Sequence, residues 1–203
     1  MNFIEFRKAL VAFPIFSYSD IYKVDPEFDR RRLVEWQAKN YIKKIRKGYY
    51  YFPERDIDEN FLMHISNKIY KPSYISMATA LSYYNLIPEG VYLITGISTR
   101  KTILFETPLG NFGYRAVKNE LFFGYRLIQK GDYNIRYAEV EKSVLDFFYF
   151  NKINDIKSLD ALRLNRLVAK EIIQKDKLQN YLSVFNSRIM DQRIKLLLNY
   201  LNA

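Results

Sequence analysis

Residues 41–52 read YIKKIRKGYYYF, and Gly48 separates a basic segment from an aromatic one. Four of the six residues before Gly48 are Lys or Arg, and the four residues after it are all Tyr or Phe. Both halves favour extended strands, and glycine supplies the positive φ that a tight hairpin turn requires. The stretch therefore predicts a β-hairpin with Lys47 and Gly48 at its turn, and Pro53 is expected to stop the second strand.

The residues before this hairpin predict two short helices. In the segment NFIEFRKALVAF, aromatic and aliphatic residues recur at helical spacing from Phe3 to Phe13, and Pro14 follows. The next segment, SYSDIYKV, has Ser17 or Ser19 as its N-cap and is closed by Pro26.

A third helix is predicted within FDRRRLVEWQAKNY, with Asp29 as its cap. On a helical projection Leu33, Trp36 and Gln37 share one side, with Val34 and Tyr41 beside them. The opposite, outward side is expected to carry Arg31, Arg32, Glu35, Ala38 and Lys39.

Three helices followed by a basic hairpin are the elements of a winged helix-turn-helix domain. Residues 28–53 hold eight basic and two acidic side chains, a concentration that suits a polyanion such as DNA. The predicted DNA-binding residues are Arg30, Arg31, Arg32, Glu35, Lys39, Lys43, Lys44, Arg46 and Lys47. Phosphates are expected at the hairpin, and base edges at Arg31, Arg32 and Glu35. An ordinary solvated surface and a protein-docking platform are the alternatives.

The rest of the chain predicts an α+β protein. Residues 56–72 are expected to form a linker helix, which contains the single histidine, His64, read as structural. The segment PSYISMATALSYYNLIPEG predicts a helix that begins at Pro72 and Ser73 and ends at Pro88-Glu89-Gly90. Five strand-like runs with intervening turn signals then predict an antiparallel sheet: VYLITGI, TILFETP, NFGYRAV, LFFGYRLI and YNIRYA. The segment AEVEKSVLDFFYF predicts a closing helix with Glu139, Lys142 and Asp146 on one polar face.

The domain organisation follows from these patterns. Residues 1–55 are predicted to form the winged helix, 56–72 the linker helix, 73–150 an α+β core domain and 151–203 a helical C-terminal segment. Within the last segment, apolar spacing predicts three helices. Arg163, Arg166 and Lys170 lie at i, i+3 and i+7, which predicts one basic stripe on a helix.

Composition narrows the classes of function. The chain has 203 residues, a net charge of +10 and no cysteine, which excludes disulfides and thiolate metal sites. We expect no metal and no cofactor. No apolar run is long enough to span a bilayer, and the N-terminus lacks the pattern of a secretory signal, so we expect a cytoplasmic protein without membrane contact.

Four segments together resemble the AbiEi-type antitoxins of bacterial abortive-infection (type IV toxin–antitoxin) systems. They are IRKGYYYF, PSYISMATALSYYNLIPEG, TRKTILFETPLGNFGYRAV with LFFGY, and AEVEKSVLDFFYF, and they span roughly two thirds of the chain. Val140 departs from the pattern, where a proline is expected, and no motif of the family is found after residue 150. The resemblance implies operator DNA as one partner, repression of the protein's own operon, and antagonism of a nucleotidyltransferase-like toxin. A homodimer would suit an inverted-repeat operator.

The basic stripe has three interpretations. It is a solvated helix face, a second DNA contact, or a surface that docks on an acidic partner such as the carboxylate-lined site of the toxin. A stand-alone transcriptional regulator with a ligand-sensing or dimerising middle domain is the alternative to the antitoxin.

An enzyme acting on nucleic acid is a further alternative, for which the sequence offers little. It lacks a Cys nucleophile, a metalloprotease motif and a Gly-rich phosphate loop, and only His64 could complete a Ser-His-Asp triad. Arg100, Lys101 and Arg115 are either a phosphate site or solvated strand ends. We therefore expect no catalytic activity.

Overall fold

The computed structural model describes residues 1–88 and 93–202. The chain forms two compact units, the first made of residues 1–65 with 107–109 and the second of residues 66–106 with 110–202. The first unit therefore continues ten residues beyond the predicted boundary at residue 55. The predicted core domain and C-terminal segment lie together in the second unit. The prediction of an α+β protein is confirmed.

The first unit contains three short helices and a small sheet. The helices are α1 (Phe3–Leu10), α2 (Tyr18–Val24) and α3 (Arg31–Ala38), and the strands are β1 (Phe16–Ser17), β2 (Lys43–Arg46) and β3 (Tyr49–Tyr51). Strand β3 lies between β1 and β2 and is antiparallel to both. Helix α4 (Glu59–Ile69) follows and contains the boundary between the units.

Two local signals in the first unit act as predicted. Ser17 caps α2 in a capping box, in which its side chain accepts the Asp20 amide and the Asp20 side chain accepts the Ser17 amide. Strands β2 and β3 form the predicted hairpin, with Lys47 and Gly48 between the paired residues Arg46 and Tyr49.

The aromatic half of the opening stretch holds the hairpin against the helices. Tyr50 and Phe52 are buried, and both pack on Phe16, with ring centroids 6.1 and 5.0 Å away. Phe6 of α1 lies 6.2 Å from Phe52 and 4.6 Å from Trp36. The aromatic residues thus belong to one core that anchors the hairpin, as the sequence predicts.

Gly48 is required at the hairpin turn for two reasons. Its φ is +83°, and a Cβ at this position would lie 3.2 Å from the ring of Tyr18. We expect Gly48→Ala to lower the free energy of unfolding by about 2 kcal/mol, because a side chain disfavours the left-handed backbone and meets the ring. Urea unfolding followed by circular dichroism measures the loss. Gly131→Ala is the control, since that residue also has a positive φ but its Cβ would meet no atom within 4 Å. A Gly48 variant as stable as the Gly131 variant would contradict this account.

The second unit is built on a six-stranded sheet. Its strands are β4 (Ser73–Ile75), β5 (Leu93–Ser98), β6 (Ile103–Thr107), β7 (Gly110–Ala116), β8 (Tyr125–Lys130) and β9 (Tyr133–Ala138). Their spatial order is β6-β7-β5-β4-β9-β8. Between β7 and β8 the chain forms a 3-10 helix at Asn119–Leu121.

The prediction of a purely antiparallel sheet is wrong, because the sheet is mixed. Strand β5 is parallel to β7, and β4 is parallel to β9. The chain runs from β5 to the edge strand β6 and returns as β7 between them, so β5 and β7 point the same way. In the same way, the chain forms the edge strand β8 and then returns as β9 between β8 and β4, so β9 is parallel to β4. Turn signals in the sequence show where the chain reverses, but they do not show beside which earlier strand the next strand pairs.

The sequence analysis also missed strand β4. Residues 73–75 were assigned to the start of a helix, whereas they form a buried strand, and helix α5 (Met77–Tyr83) begins after it. The helical spacing starts only at Met77, so it carries no information on the three residues before. The predicted end at Glu89-Gly90 lies outside the described residues, as do Val91 and Tyr92 of the first predicted strand of this unit.

Helices cover the sheet and complete the core. They are α6 (Val140–Phe150), α7 (Ile156–Ala161), α8 (Arg166–Ile172), α9 (Lys175–Phe185) and α10 (Arg188–Asn202). Residues 151–202 thus form four helices where three were predicted. Leu145 and Phe148 of α6 share one hydrophobic core with Leu182 of α9 and with Ile194 and Leu197 of α10.

Two of the three residues on the predicted polar face of α6, Lys142 and Asp146, are fully buried, while Glu139 is half-buried. Lys142 and Asp146, one helical turn apart, form an ion pair with both side chains 0 % exposed. The Asp146 carboxylate also accepts hydrogen bonds from the Tyr74 hydroxyl at 3.0 Å and from the Ser76 hydroxyl at 2.7 Å. Burial raises the pKa of Tyr74, so its hydroxyl remains a donor. This buried cluster ties α6 to the segment that contains β4.

Candidate nucleic-acid interface

Helix α3 presents a mixed polar and apolar face to solvent. Leu33 and Trp36 are buried in the core of the first unit, which fixes the rotation of the helix about its axis. The positions on the opposite side are exposed, and they are Arg31, Val34, Glu35 and Ala38. Val34, which the sequence analysis placed beside the apolar side, is 69 % exposed. This placement is a correction, and it adds an aliphatic side chain to the outward face.

The three consecutive arginines before and within α3 have different environments. The side chain of Arg31 is 92 % exposed and pairs with Asp29 at 3.0 Å. The Arg30 guanidinium lies 4.6 Å from the centroid of the Tyr18 ring and donates to the Tyr22 hydroxyl at 2.5 Å. Arg32 donates to the carbonyl of Met1 at 2.6 Å. Arg31 is therefore the arginine that projects farthest into solvent, while Arg30 and Arg32 also join elements of the unit.

Asp29 lies one position before the N-cap of α3 and contributes to the start of the helix. The N-cap residue is Arg30, whose side chain makes no capping hydrogen bond. Asp29 instead accepts the backbone amide of Arg31 at 2.9 Å, and this hydrogen bond lowers the pKa of its carboxyl. Asp29 thus stabilises the start of α3 as predicted, but the helix begins one residue later than a cap at Asp29 implies.

Glu35 and Lys39 form an ion pair along the exposed side of α3. The Lys39 ammonium lies 2.6 Å from Glu35 Oε1, and its hydrogen bond holds the pKa of Glu35 below the ordinary value. The same pair raises the pKa of Lys39. Both side chains are more than half exposed, so water and salt weaken the pair. A base edge or a phosphate can therefore replace either partner.

Three of the predicted DNA-binding lysines lie on the hairpin with solvated side chains. The side chains of Lys43, Lys44 and Lys47 are exposed and make no hydrogen bond or ion pair with residues 1–88 or 93–202. Arg46 is half-buried, with its guanidinium 5.7 Å from the centroid of the Tyr49 ring. The residues after Gly48 pack inward, while three lysines before it remain in solvent.

Comparison with family models and with curated proteins finds no match to this sequence. Within the described parts of the chain, no group of three or more His, Asp and Glu side chains is placed to hold a metal ion. No described helix combines the length and the apolar character needed to cross a membrane.

The C-terminal basic residues do not form the predicted stripe on one helix. Arg163 precedes α8 in the link from α7 and has a positive φ of 50°. Arg166 begins α8, and its guanidinium lies 4.9 Å from the centroid of the Tyr200 ring. Lys170 lies in the last turn of α8 and is exposed. The Asn165 side chain caps α8, so a new helix begins at Arg166. Arg163 therefore does not share a helix with Arg166 and Lys170.

Proposed function

We propose that residues 1–55 act as a winged-helix DNA-binding module, with α3 as its recognition helix and the β2–β3 hairpin as its wing. The observation that carries this proposal is the exposed surface of α3 and β2. It combines Arg31, Val34 and Glu35 on the outward face of the helix with three solvated lysines on the strand and turn that follow. Solvated cations favour phosphates, and a helix with both polar and aliphatic groups suits the major groove.

The proposed contacts follow from the chemistry of each side chain. The Arg31 guanidinium matches the two acceptors of guanine, and the Glu35 carboxylate matches the amino group of cytosine. The Val34 methyl groups match the methyl group of thymine. Lys43, Lys44 and Lys47 meet phosphates, while Arg30 and Arg32 hold the helix in place and add positive charge.

We further propose that the protein is an antitoxin that represses its own operon in the cytoplasm and antagonises a nucleotidyltransferase-like toxin. The support is the resemblance to the AbiEi-type antitoxins, carried by four segments in the same order. The action is stoichiometric binding without turnover. A homodimer on an inverted-repeat operator is consistent with this role.

DNA binding is tested with the full chain and the DNA upstream of its own gene. Fluorescence anisotropy at several salt concentrations measures the dissociation constant for this DNA and for a scrambled duplex of the same length. We expect tighter binding of the upstream DNA, and a loss of about 0.9 log units of affinity per log unit of salt for each phosphate contact. Equal affinity for the two duplexes at every salt concentration would contradict an operator-binding role.

Val34 provides a separate test of base reading. We expect Val34→Ser to reduce the preference for upstream over scrambled DNA by about fivefold, because the apolar contact with a thymine methyl is lost. Anisotropy with both duplexes measures the preference. Val24→Ser is the matched control, since Val24 is 43 % exposed but ends α2. An unchanged preference in Val34→Ser would remove Val34 from the proposed reading surface.

The antitoxin role is tested by co-expressing the full chain with the product of the adjacent gene. Restored growth supports antagonism, and restored growth by a variant with Arg31, Lys43 and Lys44 changed to Gln separates antagonism from repression. An adjacent gene that encodes no nucleotidyltransferase favours the second candidate, a stand-alone regulator. The observation that favours this second candidate is an open cleft in the second unit, next to the sheet.

A further inference from the structure

Helices α5 and α6 pack on one face of the sheet in the second unit. On this face a cleft of about 480 Å³ lies between the sheet and the helices α5 and α6. Leu93 and Thr95 of β5 and Gly113 of β7 lie on the sheet side, and Ala78, Phe147 and Phe150 lie on the helix side. Small-molecule sites in proteins are commonly concave, mostly apolar and of this size.

The shape of the cleft depends on a glycine in the middle of a strand. Gly113 pairs with Thr95, and a Cβ at Gly113 would lie 3.3 Å from Leu93 Cδ1. A glycine within a strand contributes no side chain to the packing, so it often marks a place where another molecule approaches the backbone. Here the glycine gives room to the Leu93 side chain, which lies directly over it on the sheet side of the cleft.

A second feature of the lining is a strained residue. Met77, which begins α5 and is buried, has a φ of +56°. Residues other than glycine rarely adopt this conformation, and when they do, they cluster at ligand sites. Gly113 and Met77 therefore mark the two sides of the cleft independently.

Among the described residues, Arg115 is the one that gives the cleft a charge. Arg115 is exposed, and among the described residues it is the only charged side chain in the lining and makes no ion pair or hydrogen bond. The polar groups around it are already occupied by the protein. Thr95 Oγ1 donates to the Ser76 carbonyl at 2.7 Å, and Asn151 donates to the Phe147 carbonyl at 2.8 Å. The Arg115 guanidinium is thus a charged group of the described lining that remains available to a ligand.

We propose that this cleft binds a small amphipathic anion, with its apolar body against Leu93, between the sheet and the phenylalanines of α6, and its carboxylate, sulfonate or phosphate on Arg115. An apolar lining with a single guanidinium selects such a molecule over a neutral one, because the guanidinium fork matches an anionic group. The site goes beyond the proposed DNA-binding function and does not depend on it.

The test uses two fluorescent probes with the same aromatic framework, and the full chain without DNA. The anionic probe is 8-anilinonaphthalene-1-sulfonate, and the neutral probe is N-phenyl-1-naphthylamine. We expect one molecule of each to bind per chain. Arg115→Gln should weaken binding of the sulfonate about tenfold and leave binding of the neutral probe unchanged, since one charge-assisted hydrogen bond is lost. Gly113→Val should weaken binding of both probes about tenfold or more, because the valine takes the space of the Leu93 side chain and displaces it into the cleft.

Arg136→Gln is the matched control, because Arg136 is also an exposed arginine in a strand but lies on β9 outside the cleft. Circular dichroism establishes that each variant is folded. Binding of the sulfonate that is equal in Arg115→Gln and the wild type would overturn the proposal, as would an equal loss in Arg136→Gln. Failure of DNA binding would leave these measurements unaffected, so the two proposals are tested separately.

Discussion

Replacing Asp146 with alanine is expected to lower the free energy of unfolding by about 3–5 kcal/mol, the largest change that we predict for a single substitution. The carboxylate is buried with the Lys142 ammonium and accepts hydrogen bonds from Tyr74 and Ser76. Its removal leaves a buried cation and two hydroxyl groups without their acceptor, and each of these is costly in a medium from which water is excluded.

The pair itself contributes less than this loss suggests. Burial opposes both charges, raising the pKa of Asp146 and lowering that of Lys142, while each charge favours the other. We therefore expect the double variant Lys142→Met with Asp146→Leu to be more stable than Asp146→Ala by about 2 kcal/mol. Urea unfolding of the three proteins measures both differences. A free energy of unfolding for Asp146→Ala within about 1 kcal/mol of the wild type would contradict a buried ion pair. A double variant no more stable than Asp146→Ala would contradict it as well.

Changing Lys43, Lys44 and Lys47 to glutamine is expected to weaken binding of upstream DNA about a hundredfold at moderate salt. The three ammonium groups are solvated in the described structure, so their loss leaves the packing of the hairpin unchanged. If each one neutralises a phosphate, the slope of log affinity against log salt should become less steep by about 2.7. Anisotropy titrations from low to high salt measure the affinity and the slope together.

The loss of DNA binding could come from the lower net charge of the variant or from the position of the three lysines on the hairpin, and a control variant distinguishes the two. The matched control changes Lys157, Lys175 and Lys195, which are exposed residues of the second unit, to glutamine. This variant has the same net charge as the hairpin variant but keeps the hairpin intact. We expect its salt slope to equal that of the wild type. Equal weakening in the two variants would mean that the DNA responds to the overall charge, and the hairpin would lose its proposed role.

Local signals in the sequence were reliable where backbone chemistry decides the structure. The Lys47-Gly48 turn, the cap at Ser17 and the aromatic anchoring of the hairpin were all predicted and are confirmed. Each depends on residues that lie close together in the sequence or on one hydrophobic face. The assignment of α6 is confirmed for the same reason, since its apolar residues follow a helical period.

The errors arose where distant segments decide the outcome. Lys142 and Asp146 have the i, i+4 spacing of a solvated ion pair, and the rings of Tyr74, Phe123 and Phe185 pack around Lys142 and bury it. Val34 lies at the edge of the apolar side on a helical projection, so its exposure depends on what packs beside it. The cleft was also missed, because only the packing of α6 on the sheet brings Phe147 and Phe150 beside Gly113 and Arg115.

The mixed sheet has a consequence for synthesis on the ribosome. Ile75 pairs with Tyr137, so β4 has no partner on that side until β9 has left the exit tunnel. During this interval a buried segment of the final protein lacks its neighbour and is open to pairing with other nascent chains. The first unit up to Tyr51 is translated earlier, and its strands β1, β2 and β3 pair only with one another. We therefore expect the helices and strands up to Tyr51 to fold first during translation. The second unit should fold later and be accessible to chaperones until β9 is synthesised.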